Sequence, residues 1–209
     1  MLTAPDGSTD GRLLAYLCNP RKYRDRDPEL FDWLKQVVGC ERDRRTARIE
    51  GSALLGSVSF QSRILTDSYS ERREYFSECA TRFGGCDIVF FDPDTGLEIK
   101  STPRGRKDSC KYLYWNEVSK AFTAASSVLI YQHYPREHRA GYIARLARAL
   151  LERTHAARVF SFGTPNVLFL LASQERHVAA FRERVSTIRS GWGPSEIVAA
   201  EHPELLLPT

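Results

Sequence analysis

Three carboxylates crowd into the stretch Asp-Ile-Val-Phe-Phe-Asp-Pro-Asp-Thr-Gly-Leu-Glu-Ile-Lys-Ser at 87–101: Asp92, Asp94 and Glu98. Carboxylates so spaced can accept hydrogen bonds from an amine, act as general bases, or hold a hard divalent cation. A histidine of similar standing, His133, follows Gln132 at the end of a second apolar run. An imidazole near carboxylates serves as general base, proton shuttle or metal ligand. Around these stand residues suited to binding: Lys111 and Arg136 as cations for a phosphate or carboxylate, Tyr112 as a stacking face next to Lys111, and Gln132 beside the histidine. Asp92, Asp94, Glu98 and His133 are therefore the candidate catalytic group, and Lys111, Gln132, Arg136 and Tyr112 the candidate substrate contacts. A lone Asp here would be read as a strand terminator and turn cap. Three acids aimed at one place favour function.

The flanking sequence says how these residues come together. Ile88–Phe91 is wholly apolar and β-favouring, the pattern of a strand buried on both faces. Pro93 pushes Asp92 toward an extended conformation. Residues two apart on extended backbone point the same way, so Asp92 and Asp94 project together from the strand's end. Asp94-Thr95-Gly96 is turn chemistry. Val128–Tyr131 is a second apolar strand. Sequential strands are usually neighbours, about 4.8 Å apart, so His133 and Asp92 are expected at one crevice. Open α/β sheets bind ligands at that end of their strands.

The remaining elements follow from periodicity and caps. Pro28–Val38 is an amphipathic helix with Asp27 at its N-cap; Ser70–Phe83 is another, stopped by Gly84-Gly85. Leu13–Leu17 reads as a short strand or helical turn, and Ala53–Phe60 with Arg63–Leu65 as strand. Asn116–Ala125 is a helix capped by Asn116, Arg139–Arg153 a strong amphipathic helix, and Gln174–Arg189 the last one. Val159–Phe162 and Val167–Leu171, separated by Gly163-Thr164-Pro165-Asn166, form a hairpin, and Glu196–Ala200 is a final strand. Helices alternating with buried strands predict one Rossmann-like α/β domain over 1–209, loose at 1–11. Its sheet is expected to be mostly parallel, with helices on both faces and a C-terminal β-hairpin.

Composition sets the wider limits. The 209 residues are 42% hydrophobic and 27% charged, a globular balance that excludes wholesale disorder. No apolar run approaches membrane-spanning length, so no membrane partner is expected. The start of the chain has neither the basic nor the apolar segment of a signal peptide, and five cysteines without a Cys-x-x-Cys pair suit neither a disulfide framework nor a zinc site. The expected location is a reducing cytoplasm. The net charge of +4 is modest, but Arg21, Lys22, Arg24 and Arg26, then Arg42, Arg44, Arg45 and Arg48, then Arg104, Arg106, Lys107 and Lys111 form basic groups. Such groups are the electrostatic footprint of nucleic-acid binders, although Asp25, Asp27, Glu41 and Asp43 dilute the first two.

Three blocks over roughly residues 69–172 carry a resemblance: Phe-Phe-Asp-Pro-Asp-Thr-Gly-Leu-Glu, Lys-Tyr-x-x-Trp-x-Glu, and Leu-Ile-Tyr-Gln-His-x-x-Arg. Together they resemble a family of uncharacterised bacterial proteins, which implies no particular activity. More distantly, Asp92-Pro93-Asp94-Thr95 looks like the Asp-Pro-Pro-Tyr signature of class I amino-group methyltransferases. That resemblance implies S-adenosylmethionine as cofactor and an amine, including one on a nucleic-acid base, as target held at the tetrapeptide. It also implies a Rossmann-like sheet in which the tetrapeptide follows the fourth strand and the chain ends in a hairpin. Here Asp94 and Thr95 stand where the family has its second proline and base-stacking aromatic. Gly51 and Gly56, the nearest candidates for its glycine-rich loop, lack the spacing.

Two other readings accompany methyl transfer. Asp92, Asp94 and Glu98 could hold Mg2+ or Mn2+ for phosphodiester cleavage, as hard oxygen ligands do. Alternatively the chain is a non-catalytic binding module on a degenerate Rossmann-like fold.

Overall fold

A computed structural model describes residues 1–4, 14–43, 45–193 and 195–202. The chain groups into two compact units, one formed by 5–60 and the other by 1–4 with 61–209.

The 5–60 unit is built from short helical pieces. A 3-10 turn at Ala15–Cys18 precedes helix α1 (Pro20–Tyr23), α2 (Pro28–Leu34) and α3 (Ala47–Glu50). The N-cap at Asp27 forms as expected, accepting from the Leu30 amide at 3.0 Å. The helix loosens into a π-helical turn over Lys35–Cys40 before Gly39 can end it. The expected strand at Ala53–Phe60 does not form. Gly56 adopts a φ of +61°, and the segment runs as turns and bends. Ion pairs absorb much of the basic character: Arg24 with Asp32, Arg45 with Asp43, and Arg48 with Glu41.

The larger unit holds the sheet. Helix α4 (Tyr69–Arg82), capped by Ser68, leads into β1 (Ile88–Phe91). β2 (Gly96–Leu97) and β3 (Tyr112–Leu113) make a small parallel pair of their own. Helix α5 (Trp115–Thr123), β4 (Ser127–His133), α6 (Arg139–Thr154), β5 (Arg158–Gly163), β6 (Val167–Ser173), α7 (Val178–Gly191) and β7 (Val198–His202) follow. The five-stranded order is β1-β4-β6-β5-β7. β1 and β4 are parallel neighbours, with Phe91 level with Ile130. The hairpin of β5 and β6 is present, with β6 inserted between β4 and β5 and antiparallel to both; β7 is antiparallel to β5.

This corrects the expected mostly parallel sheet: the fold is α/β, but the sheet is mixed, with β1 and β4 its parallel pair. β1 is an edge strand, since among the described residues it pairs with β4 alone. The main core lies on one face, where Val89, Phe91, Val128, Ile130 and Leu170 meet α5 and α6. A second core lies on the other face, where α7 packs Val178 and Val185 onto Phe160 and Leu171. Helices therefore cover both faces, but not completely. Ile88 is 44% and Phe90 51% exposed, so the run expected to be buried on both faces is buried on one. Arg63–Leu65 contributes a single bridge, Leu2 to Ile64, rather than a strand. Met1–Ala4 thus has an ordered contact, while most of the stretch expected to be loose lies outside the described residues.

Candidate functional site

The loop after β1 is held by backbone pairing. Thr95 N donates to Lys111 O at 3.0 Å and Glu98 N to Leu113 O at 2.8 Å, which folds the acidic stretch back onto β3. Gln132, buried at the end of β4, fixes the same loop from the other side. Its Oε1 accepts from Leu97 N at 2.7 Å and its Nε2 donates to His133 O at 3.0 Å. Gly96 sits at φ +125°, against the Gln132 amide, where any Cβ would collide. Gln132, expected to touch substrate, is instead a buried clamp on the Asp-Pro-Asp loop.

The four expected catalytic residues divide. Asp92 follows Phe91, which points into the core, so alternation carries it outward on the side of Phe90. Its pKa is raised, first because surrounding protein desolvates the carboxyl and also through Asp94; the Met1 ammonium and His133 pull the other way. That ammonium donates to Asp92 O at 2.9 Å. Asp94 is exposed and accepts from Thr3 Oγ1. His133 is exposed, with its ring edge-on to Tyr131 at 5.0 Å. Glu98 departs from the group: its Oε1 accepts from Trp115 N at 2.7 Å, tying it to the N-terminus of α5. Asp92, Asp94 and His133 thus share one end of the β1–β4 pair, and Glu98 faces a helix.

The expected binding residues are dispersed. Lys111 Nζ lies 3.6 Å from Asp108, and its carbonyl serves the Thr95 amide. Tyr112 is half-buried, with its carbonyl accepting from Arg72. Arg136 is exposed beyond β4.

The chain's own periodicity contains a feature that motif reading missed. On the face that Asp92 joins, Phe90 of β1, Tyr131 of β4 and Phe169 of β6 form a continuous aromatic group. Phe90 and Phe169 lie 6.3 Å apart, and Tyr131 stands edge-on to Phe169 at 5.4 Å. His133 extends this group toward the end of β4. The signal was the alternation of Phe90 with Phe91 and of Tyr131 with Gln132, masked by treating both runs as uniformly apolar. Such a surface offers ring faces to a planar ligand, with a carboxylate at its margin to accept from an amine.

Gly51 follows helix α3 rather than a strand, and Gly56 lies in a turn. Neither makes the strand–glycine–helix cradle that the methyltransferase resemblance implies. Among the described residues, no three His, Cys, Asp or Glu side chains gather as a group able to hold a metal. No helix among them is long and apolar enough to cross a membrane. No protein-family model, curated protein or solved structure matches the chain.

Proposed function

We propose that the protein is a nucleic-acid binding module that recognises an unpaired base through its exocyclic amine. Asp92 accepts a hydrogen bond from that amine while the base stacks on the Phe90–Tyr131–Phe169 surface. The observation that carries this reading is the aromatic group on the sheet face from whose edge Asp92 emerges. In the methyltransferase signature the aromatic of the tetrapeptide stacks on the base. Here Thr95 occupies that position, and the neighbouring strands supply rings instead. Unpaired bases are bound this way because every base has a stacking face, whereas its edge must be read by hydrogen bonds. Asp and Glu accept from a base amine in the same manner.

The expected ligand is a short single-stranded oligonucleotide rich in cytosine or adenine. Titration calorimetry should show binding that weakens about tenfold in Tyr131→Ala, the loss of one stacking contact. Phe90→Ala, at an exposed edge position, should act similarly without unfolding the protein. Affinity unchanged in both variants would remove the stacking surface from the account. Methyl transfer remains a second reading on the strength of the tetrapeptide resemblance. S-adenosylmethionine titrated into the same cell tests it directly, and heat of binding lost in Asp92→Ala would favour it.

A further inference from the structure

The larger unit contains a cavity of about 430 Å³, to which neither Asp92 nor His133 contributes. That volume is within the range of small-molecule sites. Its walls are apolar where α4 faces β1, through Phe76, Phe83, Val89 and Phe91. Its polar lining is strongly one-sided, carrying Arg73, Arg104 and Lys120. Glu117 also lines it, but this acid is already neutralised. Arg72 Nε lies 2.7 Å from Glu117 Oε1 and Arg72 Nη2 2.7 Å from Oε2, with the two side chains only 3% and 7% exposed.

Arg104 supplies a second, independent observation. Its guanidinium stacks on the Tyr114 ring at 4.7 Å and donates through Nη2 to Asn116 Oδ1. Its Nε is buried and has no hydrogen-bond partner. That atom is closed to solvent, but the guanidinium belongs to a residue that lines the cavity, and an oxyanion is the acceptor a guanidinium binds best. Apolar walls and surplus cations, Arg104 among them, call for the same kind of ligand.

We propose that this cavity binds a small organic oxyanion, a carboxylate, phosphate or sulfonate carried on an apolar body. The head group would meet Arg104, and the body would lie against Phe76, Phe83 and Val89. The site is separate from the base-binding face and does not depend on that reading.

The test uses 8-anilinonaphthalene-1-sulfonate with the intact protein, followed by fluorescence, alongside its uncharged counterpart N-phenyl-1-naphthylamine. The expected result is one site per chain, with the anion held about tenfold more tightly, as a charge-assisted hydrogen bond would give. Decanoate and phenyl phosphate should both displace the anion, whereas decanol should not. Arg104→Ala should abolish the preference for charge. Ala80→Trp, at an exposed helical position lining the cavity, should block both probes, with thermal unfolding confirming that the fold persists. Equal affinity for the two probes, displacement by decanol as readily as by decanoate, or binding unaffected by Ala80→Trp would overturn the proposal.

Discussion

At the scale of single residues, the acidic loop owes its shape to one glycine and one amide. Gly96 occupies a positive φ that side chains rarely adopt, and the Gln132 amide fills the space a Cβ would need. Gly96→Ala should therefore destabilise the fold by about 3 kcal/mol, combining backbone strain with loss of the clamp on Leu97. Denaturant unfolding would measure it, and a change below about 0.5 kcal/mol, the range of an ordinary surface substitution, would contradict this account of the loop. Asp92 makes a pH-dependent prediction. Desolvation, aided by Asp94, raises its pKa in the fold. The folded protein then holds a proton that the unfolded chain releases, so stability falls as pH rises through the interval above the ordinary carboxylate value. Asp92→Asn, uncharged throughout, should lose that decline and be at least as stable as the parent at neutral pH. Unfolding midpoints compared across the acid-to-neutral range would show parallel curves if Asp92 were unshifted.

At the scale of elements, a buried ion pair joins helices that the sequence keeps far apart. Arg72 of α4 reaches Glu117 of α5, the Ser109 carbonyl at 3.2 Å and the Tyr112 carbonyl at 2.7 Å. Glu117 also accepts from Tyr114 N at 2.9 Å, so the same carboxylate closes the first turn of α5. Glu117→Gln would leave a buried guanidinium without its counter-charge and should cost about 3–5 kcal/mol in urea unfolding. A loss near zero would mean that the pair is dispensable. The ion-pair role of Glu117 is not legible in the sequence because its partner Arg72 lies 45 residues away, and the helix cap expected at Asn116 falls instead at Tyr114. Sequence reading did place β1 beside β4 in parallel, the hairpin of β5 and β6, and the long helices, where periodicity is strong. It did not reveal that β1 is an edge strand, since a short apolar run looks the same with one face covered as with two. The Gly-broken segment 53–60 does not form a strand for the complementary reason: among the described residues its apolar side chains have no partner strand to stabilise extended backbone.

At the scale of the whole molecule, charge is a weaker guide than its raw distribution suggests. Ion pairs with Asp32, Asp43 and Glu41 occupy arginines of the first two basic groups, and Lys111 and Arg104 of the third have polar partners. With a net charge of +4, the protein is not built to grip phosphate backbones by field strength alone. In the proposed function, recognition comes from the rings and the carboxylate at the end of β1. That Asp92 and His133 lie at one end of the β1–β4 pair was legible in the sequence; the aromatic surface beside them, from Phe90, Tyr131 and Phe169 on three strands, was not. The chemistry proposed for the site is one of stacking plus a single directional acceptor. The most direct test is a two-by-two comparison of parent and Asp92→Asn binding to oligocytidylate and oligouridylate, measured by calorimetry at fixed salt. The parent should prefer cytosine by about tenfold, the discrimination expected of one well-placed base contact. Asp92→Asn should bind both alike, because a neutral amide no longer selects the amine donor. Equal affinity of the parent for the two oligonucleotides, or a cytosine preference that survives in Asp92→Asn, would contradict the assignment of Asp92 as the amine acceptor.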